Sequence, residues 1–577
     1  IRVGPMEPME EPRLPEPSRR TLVAALSVAA ERFGEAHIDF DIGGRITYAE
    51  LDEQSTRAAA GLAATGVERG DRVLALVRNR LEFMVAMFGT LKLGAVWVPI
   101  NTELKGSFLE HQLHNSDPRV VVVDSVLAGA FDGVAPVAGA QLRAVIRIDD
   151  VERDDVVDAR GERPAPPPIT LGGLVAGAYH ELFDVSSMSD PNIAAGSGPH
   201  GHLPEVTIAP SDIACIMYTS GTTGPAKGVL MPHAHCVLFG AGMARALDLG
   251  PTDHYFICMP LFHANALLMQ AMGCLLAGAS AHVVERFSPN RWLDDVRRVG
   301  ATHSNLLGVM PEFIWNTEPT DHDHVHQLQA VMAAPVGKEW AEGFVARFGV
   351  DLIQGFGMTE CNIPFYTDVH DPPLPGLAGR LLDDWFEAQV VDPATDEPRS
   401  VGEVGELVVR PKVPSGFMAG YFGMPAKTVE AWRNLWFHTG DAARIDDEGR
   451  LFFVDRIKDC IRRRGENISA FEVEQVLNGH PAVAESIVVG VKVEGAGGEE
   501  EVKACLVLEP GADFDPTDVL DHCVERMPRY AVPRFIDLVD HVPKTGTGKV
   551  QKQPFRNAGV GPATWDRERA GYEVPRR

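Results

Sequence analysis

No two of the eight cysteines stand as Cys-x-x-Cys. Zinc ribbons and disulfide-built scaffolds are therefore not signalled, and a reducing cytoplasm is the expected compartment. Long apolar runs are also absent. The best candidate, residues 83–100, is broken by Lys92 and two glycines; it reads as helix, turn and strand, so no integral membrane segment is expected. Positive charge is scarce: 53 Lys and Arg face 80 Asp and Glu, a formal net charge of -27. That balance speaks against nucleic acid or an anionic membrane as a partner, and makes any local basic cluster informative. Residues 1–20 lack the basic-then-apolar order of a signal peptide and are expected to form a disordered leader.

At 577 residues the chain is too long for one core, and its 45% hydrophobic and 23% charged residues are ordinary for a soluble enzyme. Helical spacing (Leu22, Ala25, Leu26, Ala29; Leu51, Ala58, Leu62) alternates with short apolar runs at 72–77 and 120–124. Such alternation predicts an α/β fold whose parallel sheets are covered by helices. Residues 160–207, rich in Pro, Gly, Ser and Asn, are expected to be a long surface insertion. From about residue 457 a second alternation of helix and strand is long enough for a small separate α+β domain, to about 560, with 561–577 as a tail.

The most informative stretch, residues 218–229, reads Tyr-Thr-Ser-Gly-Thr-Thr-Gly-Pro-Ala-Lys-Gly-Val. It follows an apolar strand at 213–217 and precedes a helix expected from about His233. Three glycines let backbone N–H groups converge, hydroxyls add neutral donors, and Lys227 brings positive charge: a cradle for polyphosphate. It is not a P-loop, since Ala226 precedes the lysine and Gly228 follows it. A solvated Gly/Ser/Thr turn is the plainer reading of any short match, but twelve ordered positions are more specific than that. The stretch resembles the phosphate-loop signature of the adenylate-forming superfamily, which joins acyl-CoA synthetases, peptide-synthetase adenylation domains and firefly luciferases.

Further motifs carry the resemblance from roughly Thr47 to Lys552, and it implies roles for their residues. Thr219, Ser220, Gly221, Thr222, Thr223, Gly224 and Lys227 would hold the phosphates of ATP. His263, in Met-Pro-Leu-Phe-His-Ala-Asn, would gate the acid pocket, and is not read as a proton carrier. Ala333, Ala334 and Pro335 would run along adenine, with Met332 in place of the usual glycine. In Gly355-Phe356-Gly357-Met358-Thr359-Glu360 the aromatic ring would stack on adenine, Thr359 would meet the α-phosphate and Glu360, with Thr223, would hold Mg2+. Phe356 replaces the usual tyrosine, so stacking survives but a hydroxyl contact does not. Asp441 would accept from the ribose hydroxyls, helped by Arg456, which ends the large domain (21–456). Lys458 would be the hinge to a mobile lid domain. One or two of Arg462, Arg463 and Arg464, with Gly465, would meet coenzyme A phosphates; a solvated basic turn is the alternative for three arginines. Lys549, in Thr-Gly-Thr-Gly-Lys, would be the catalytic lysine. The large domain would also include a β-barrel-like part.

Two histidine groups invite a metal reading. Asp321, His322, Asp323, His324 and His326 read better as an exposed loop, and His233, His235 and Cys236 are treated the same way. The acid pocket is expected from Ala264, Leu267, Leu268, Leu307, Gly308, Val309, Ala333, Ala334 and Gly355 beside His263: small or aliphatic, without charge, and suited to a medium-chain, aromatic or polycyclic acid. The resemblance implies an ATP-dependent acyl-CoA synthetase, nearest in look to medium/long-chain and carnitine-type CoA ligases, using ATP, Mg2+ and coenzyme A. An enzyme that stops at the acyl-adenylate or loads a carrier protein would share these residues, and a non-catalytic adenylate-binding protein is the reading from another class. Either a monomer or a homodimer fits.

Overall fold

The computed structural model describes residues 14–132, 134, 142–149, 170–171, 174–175, 206–219, 226–308, 310–334, 336–337, 340–367, 369, 371, 374, 376–457, 461–463, 466–468, 470–492, 500–527, 529, 531–544 and 550–575. Two seven-stranded sheets form the body of the large unit. One runs in the order Asp351–Ile353, Ala330–Ala334, His303–Leu307, His254–Ile257, Ser280–Val283, His37–Phe40, Gly44–Thr47. It is parallel up to its last strand, which returns as a hairpin. The other runs Gly420–Tyr421, Lys227–Pro232, Ile213–Thr219, Val96–Pro99, Arg72–Leu76, Val120–Asp124, Ala144–Ile148. Its last five strands are parallel.

Helices Tyr48–Ala64, Leu81–Lys92 and His233–Ala246 share a single apolar core with residues of both sheets. Leu81–Lys92 is buried from Leu81 to Leu91 except at Glu82, which is why its sequence looks membrane-like. Burial on every side, between two sheets, replaces the usual polar stripe of a surface helix. Where His233–Ala246 crosses Met272–Ala277, a Cβ on Gly240 would lie 2.9 Å from the Met272 carbonyl carbon, so only glycine permits that approach.

A third sheet, antiparallel throughout, follows in the order Gly355–Met358, Asn362–Tyr366, Leu377–Leu381, Arg450–Arg456, Phe437–Ile445, Gly405–Pro411, Phe386–Val391. This is the part expected to be barrel-like. The small C-terminal unit has the sheet Val483–Lys492, Glu500–Leu508, Phe535–Leu538, Trp565–Asp566 with helices Ala470–Asn478 and Pro516–Arg526. Its first helix is tied to the large unit, where Phe471 N donates to Asp455 Oδ2 at 3.1 Å.

Three expectations are corrected here. Residues 561–577 are not a tail: Trp565–Asp566 adds a strand beside Phe535–Leu538, and Val574 is buried in the small unit's core. Alternation of apolar and charged residues over so short a strand leaves little signal. His233, His235 and Cys236 are buried on a core helix instead of lying in an exposed turn. The helix expected from about His233 is His233–Ala246, but the stretch before it is not all loop: Lys227–Pro232 is a strand paired antiparallel with Ile213–Thr219. Of the insertion expected at 160–207, only Thr170–Leu171 and Leu174–Val175, which pair as a two-stranded ribbon, and residues 206–207 are described. Residues 1–13 of the expected leader also lie outside the described residues.

Candidate active site

The C-terminal ends of parallel strands are where ligands bind in open α/β sheets, and the candidate pocket residues Gly308 and Ala334 lie at two such ends. Strands His303–Leu307 and Ala330–Ala334 end together, with Gly308 N donating to the Ala334 carbonyl at 2.9 Å. Gly308 has φ +60, and a Cβ placed on it meets nothing, so it borders open space. Ala264 and Leu268 are buried, at the start and within the π-helix Asn265–Ala271. His263 precedes this helix, its carbonyl accepting from Leu267 N at 3.1 Å. Ala333, by contrast, packs into the core on the far side of the sheet. Alternation along a strand puts Ala334 on the opposite face.

Gly355–Met358 and Asn362–Tyr366 form a hairpin in which Gly355 faces Tyr366 and Phe356 faces Phe365. Phe356 is buried, its ring stacked on Phe453 at 6.3 Å and edge-on to Phe365 at 6.4 Å. Gly357 is held against Asn362, whose carbonyl would lie 2.3 Å from an added Cβ. Thr359 and Glu360 stand at the turn. His235 braces it from beneath: Nε2 lies 2.8 Å from the Thr359 carbonyl and Nδ1 2.7 Å from that of Gly416. Burial pushes this imidazole down to about 4, while the two carbonyls pull the other way; with both ring nitrogens engaged, its part is structural.

Glu360 is buried and accepts from the Tyr421 hydroxyl at 3.0 Å. Tyr421 in turn carries Lys227 on its ring face, Nζ 4.0 Å from the centroid. Its strand pairs with Lys227–Pro232, which explains the meeting. Burial lowers the Lys227 ammonium pKa; Glu360 opposes that, while Lys427 and Arg456 add to it. Lys227, Glu360 and Tyr421 thus form one electrostatic unit at the start of strand Lys227–Pro232. The place of Tyr421 in this unit depends on the pairing of two strands distant in sequence.

Asp441 is 1% exposed and pairs with Arg456, Nε to Oδ1 2.9 Å, across adjacent antiparallel strands. The strand just ahead of Asp441 is pinned by Glu406, which accepts from Gly440 N at 3.1 Å and pairs with His438 at 2.9 Å. Asp396, Glu406 and His438 lie close enough to suggest a cation site. Arg433, contacting all three, already supplies the positive charge.

Ser220, Gly221, Thr222, Thr223, Gly224, Val309, Pro335, Lys458, Arg464, Gly465 and Lys549 lie outside the described residues, as does the side chain of Arg462. Arg463 is corrected: it is buried, with Nε 2.7 Å from Glu501 Oε2, and so is not free for a coenzyme A phosphate. Residues 321–326 are a mostly exposed turn as expected, except that Asp323 is buried against Arg347 at 2.6 Å. The base of the lysine loop is described: Lys544 bridges Val550, Lys544 pairs with Glu485 at 2.7 Å, and Lys552 pairs with Glu474 at 2.8 Å.

Set beside known proteins, residues 26–422 match the family model "AMP-binding enzyme" and residues 472–549 match "AMP-binding enzyme C-terminal domain". A crotonobetaine/carnitine–CoA ligase from Escherichia fergusonii is 28% identical over 521 residues, covering 89% of this chain and 93% of that protein. The crystal structure of ATP-bound MatB from Rhodopseudomonas palustris superposes with a TM-score of 0.77 at 25% identity, covering 94% of this chain and 99% of that one. An o-succinylbenzoate CoA synthetase (MenE) from Bacillus subtilis, in complex with its acyl-adenylate intermediate, gives 0.74 at 25% identity, covering 93% and 98%.

Proposed function

The chain belongs to the AMP-binding enzyme family, and we infer that it is an AMP-forming acid–thiol ligase: an ATP-dependent acyl-CoA synthetase. The observation that carries this reading is the convergence of Lys227, Tyr421 and Glu360 beside the Asp441–Arg456 pair. A carboxylate does not react with a thiol, because oxide is too poor a leaving group. Attack by its oxygen on the α-phosphorus of ATP expels pyrophosphate and leaves an acyl-adenylate, from which AMP departs when the thiolate of coenzyme A attacks the carbonyl.

Two anions meet in the first step, so the site must place positive charge where negative charge accumulates. Lys227 supports the phosphates from the strand side, stacked and partly desolvated on Tyr421. Thr359 is presented by the turn that His235 braces. Asp441, with two carboxylate oxygens, is suited to accept from both ribose hydroxyls, while Arg456 keeps its charge compensated. Glu360 fits a hard cation: it is a buried carboxylate with an anchored Oε1. Mg2+ held there would neutralise phosphate charge. Lys549 would bring its ammonium to the same reaction; protonated near neutral pH, it serves by its charge and not as a base. Rotation at Lys458 would then withdraw that lysine and admit the thiol.

The test is acid-dependent release of pyrophosphate and AMP from ATP, with and without coenzyme A. Acid-dependent AMP and an acyl-CoA thioester in equal amounts are expected. Pyrophosphate without thioester from any acid would instead mean an adenylating enzyme with another acceptor. Among the described residues no helix is long and apolar enough to cross a membrane.

A further inference from the structure

Beneath the acid pocket the core turns polar. In the π-helix Asn265–Ala271, bonding from i to i+5 brings residues five apart onto one face. Asn265 and Gln270 have that spacing, and Gln270 Nε2 donates to Asn265 Oδ1 at 2.7 Å. Asn305, on the strand that ends at the pocket, donates to the same oxygen at 3.2 Å and accepts from the Tyr255 hydroxyl. Met332 joins this cluster to the pocket wall. Its Sδ is 3.8 Å from Asn305 Nδ2, and its Cε lies 2.7 Å from where a Cβ on Gly355 would stand. The Tyr366 ring edge is 3.4 Å from that same point, and its hydroxyl reaches across to helix His233–Ala246, 2.8 Å from where a Cβ on Gly242 would stand. All five polar side chains are buried and none is charged.

Among the described residues two of their atoms have no partner: Gln270 Oε1 and the Tyr366 hydroxyl. Turning the Gln270 amide over would only exchange an orphaned oxygen for an orphaned nitrogen, since Asn265 is its one hydrogen-bonding neighbour. Each unpaired group costs about 1–3 kcal/mol, and Met and Phe would fill the same space without that cost. Polar atoms kept unsatisfied beside a substrate pocket need a use.

We propose that they are held for the substrate: the acid carries a neutral hydrogen-bonding group, a hydroxyl, phenol or carboxamide, remote from its carboxylate, and Gln270 and Tyr366 select for it. This rests on the ligase reading and names its acid. The carboxylate must meet the α-phosphate near Thr359, four residues along the strand from Gly355, which is about 13 Å in extended chain. The polar group therefore sits at the far end of a molecule of medium length. A second carboxylate or an ammonium does not fit, since the cluster offers no opposite charge. Such a site discriminates by leaving its own groups unpaired when the analogue lacks the hydroxyl.

Matched pairs test this: 8-hydroxyoctanoate against octanoate, and 3-(4-hydroxyphenyl)propanoate against 3-phenylpropanoate. In thioester formation the hydroxylated member of at least one pair should have a specificity constant about tenfold or more higher. Gln270→Met combined with Tyr366→Phe should abolish or reverse that preference. Thermal melting gives a second readout: losing orphaned polar atoms should leave the melting temperature of the double variant unchanged or raised. Preference for the apolar member in both pairs, an unaltered ratio in the variant, or a lower melting temperature would each overturn the proposal. Thioesters formed without discrimination sink this inference alone. If no acid of either kind yields AMP, the ligase reading falls and takes this one with it.

Discussion

Removing Arg456 should expose how the ribose end of the site is balanced. Asp441 is 1% exposed and Arg456 37% exposed, with Nε 2.9 Å from Oδ1. Arg456→Ala leaves a buried carboxylate without its cation. Breaking a fully buried pair costs about 3–5 kcal/mol, because the remaining charge is uncompensated. Here the arginine is partly solvated and water can enter its place, so screening reduces the cost to about 2 kcal/mol. Asp441→Asn removes the stranded charge. The double variant should therefore be more stable than Arg456→Ala alone, a coupling that only a direct interaction produces. Differential scanning calorimetry of the full chain reads the stability. The Michaelis constant for ATP in pyrophosphate exchange reads the function, and it should rise in all three variants. Melting of Arg456→Ala at the wild-type temperature, or additivity of the two changes, would refute the reasoning.

Other expectations follow from the same geometry. Tyr421→Phe keeps the ring under Lys227 but removes the donor to Glu360; a hydrogen bond to a charged group is worth about 1.5–3 kcal/mol, so adenylation should slow roughly tenfold to hundredfold and need more Mg2+, as a magnesium titration would show. Lys549→Ala should nearly abolish pyrophosphate exchange while sparing thioester formation from a preformed acyl-adenylate; equal loss in both assays refutes its assigned role. Burial pushes the Glu474 carboxyl up to about 7, against the pull of Lys552. A raised folded-state pKa contributes stability that is present below the unfolded value and is lost as pH rises through about 7. Glu474→Gln should flatten that fall, which melting curves across about pH 5 to 8 would show. Gly308→Trp, filling the open space beside Gly308, should harm the bulkiest acids most and leave ATP binding intact; an equal effect on acids of all sizes contradicts the pocket.

Much of the site was legible because its chemistry lies in short ordered motifs. The turn carrying Thr359 and Glu360 could be anticipated from one motif, whereas Asp441 and Arg456, both expected at the ribose, are shown by the strand ladder to pair with each other. What escaped depended on long-range pairing. Lys227–Pro232, between the expected strand and the expected helix, has no assignment in the sequence, and only its ladder with Ile213–Thr219 makes it a strand. Tyr421 acquires its role because its two-residue strand lies beside that ladder. Arg463 looked like a phosphate ligand because three arginines in an acidic chain stand out, yet Glu501, on a strand of the small unit, claims it. Asn265 and Gln270 sit in an apolar stretch at a spacing of five, which neither an α-helix nor a strand would bring together. Only the π-helical turn reveals their partnership.

The central claim is tested most directly by following all products of one reaction: the purified full chain with ATP, Mg2+, coenzyme A and the matched acids. The account predicts AMP, pyrophosphate and acyl-CoA in equal amounts, with acyl-adenylate accumulating when coenzyme A is withheld. ADP and phosphate in place of AMP and pyrophosphate, or ATP turnover indifferent to any acid, would contradict it.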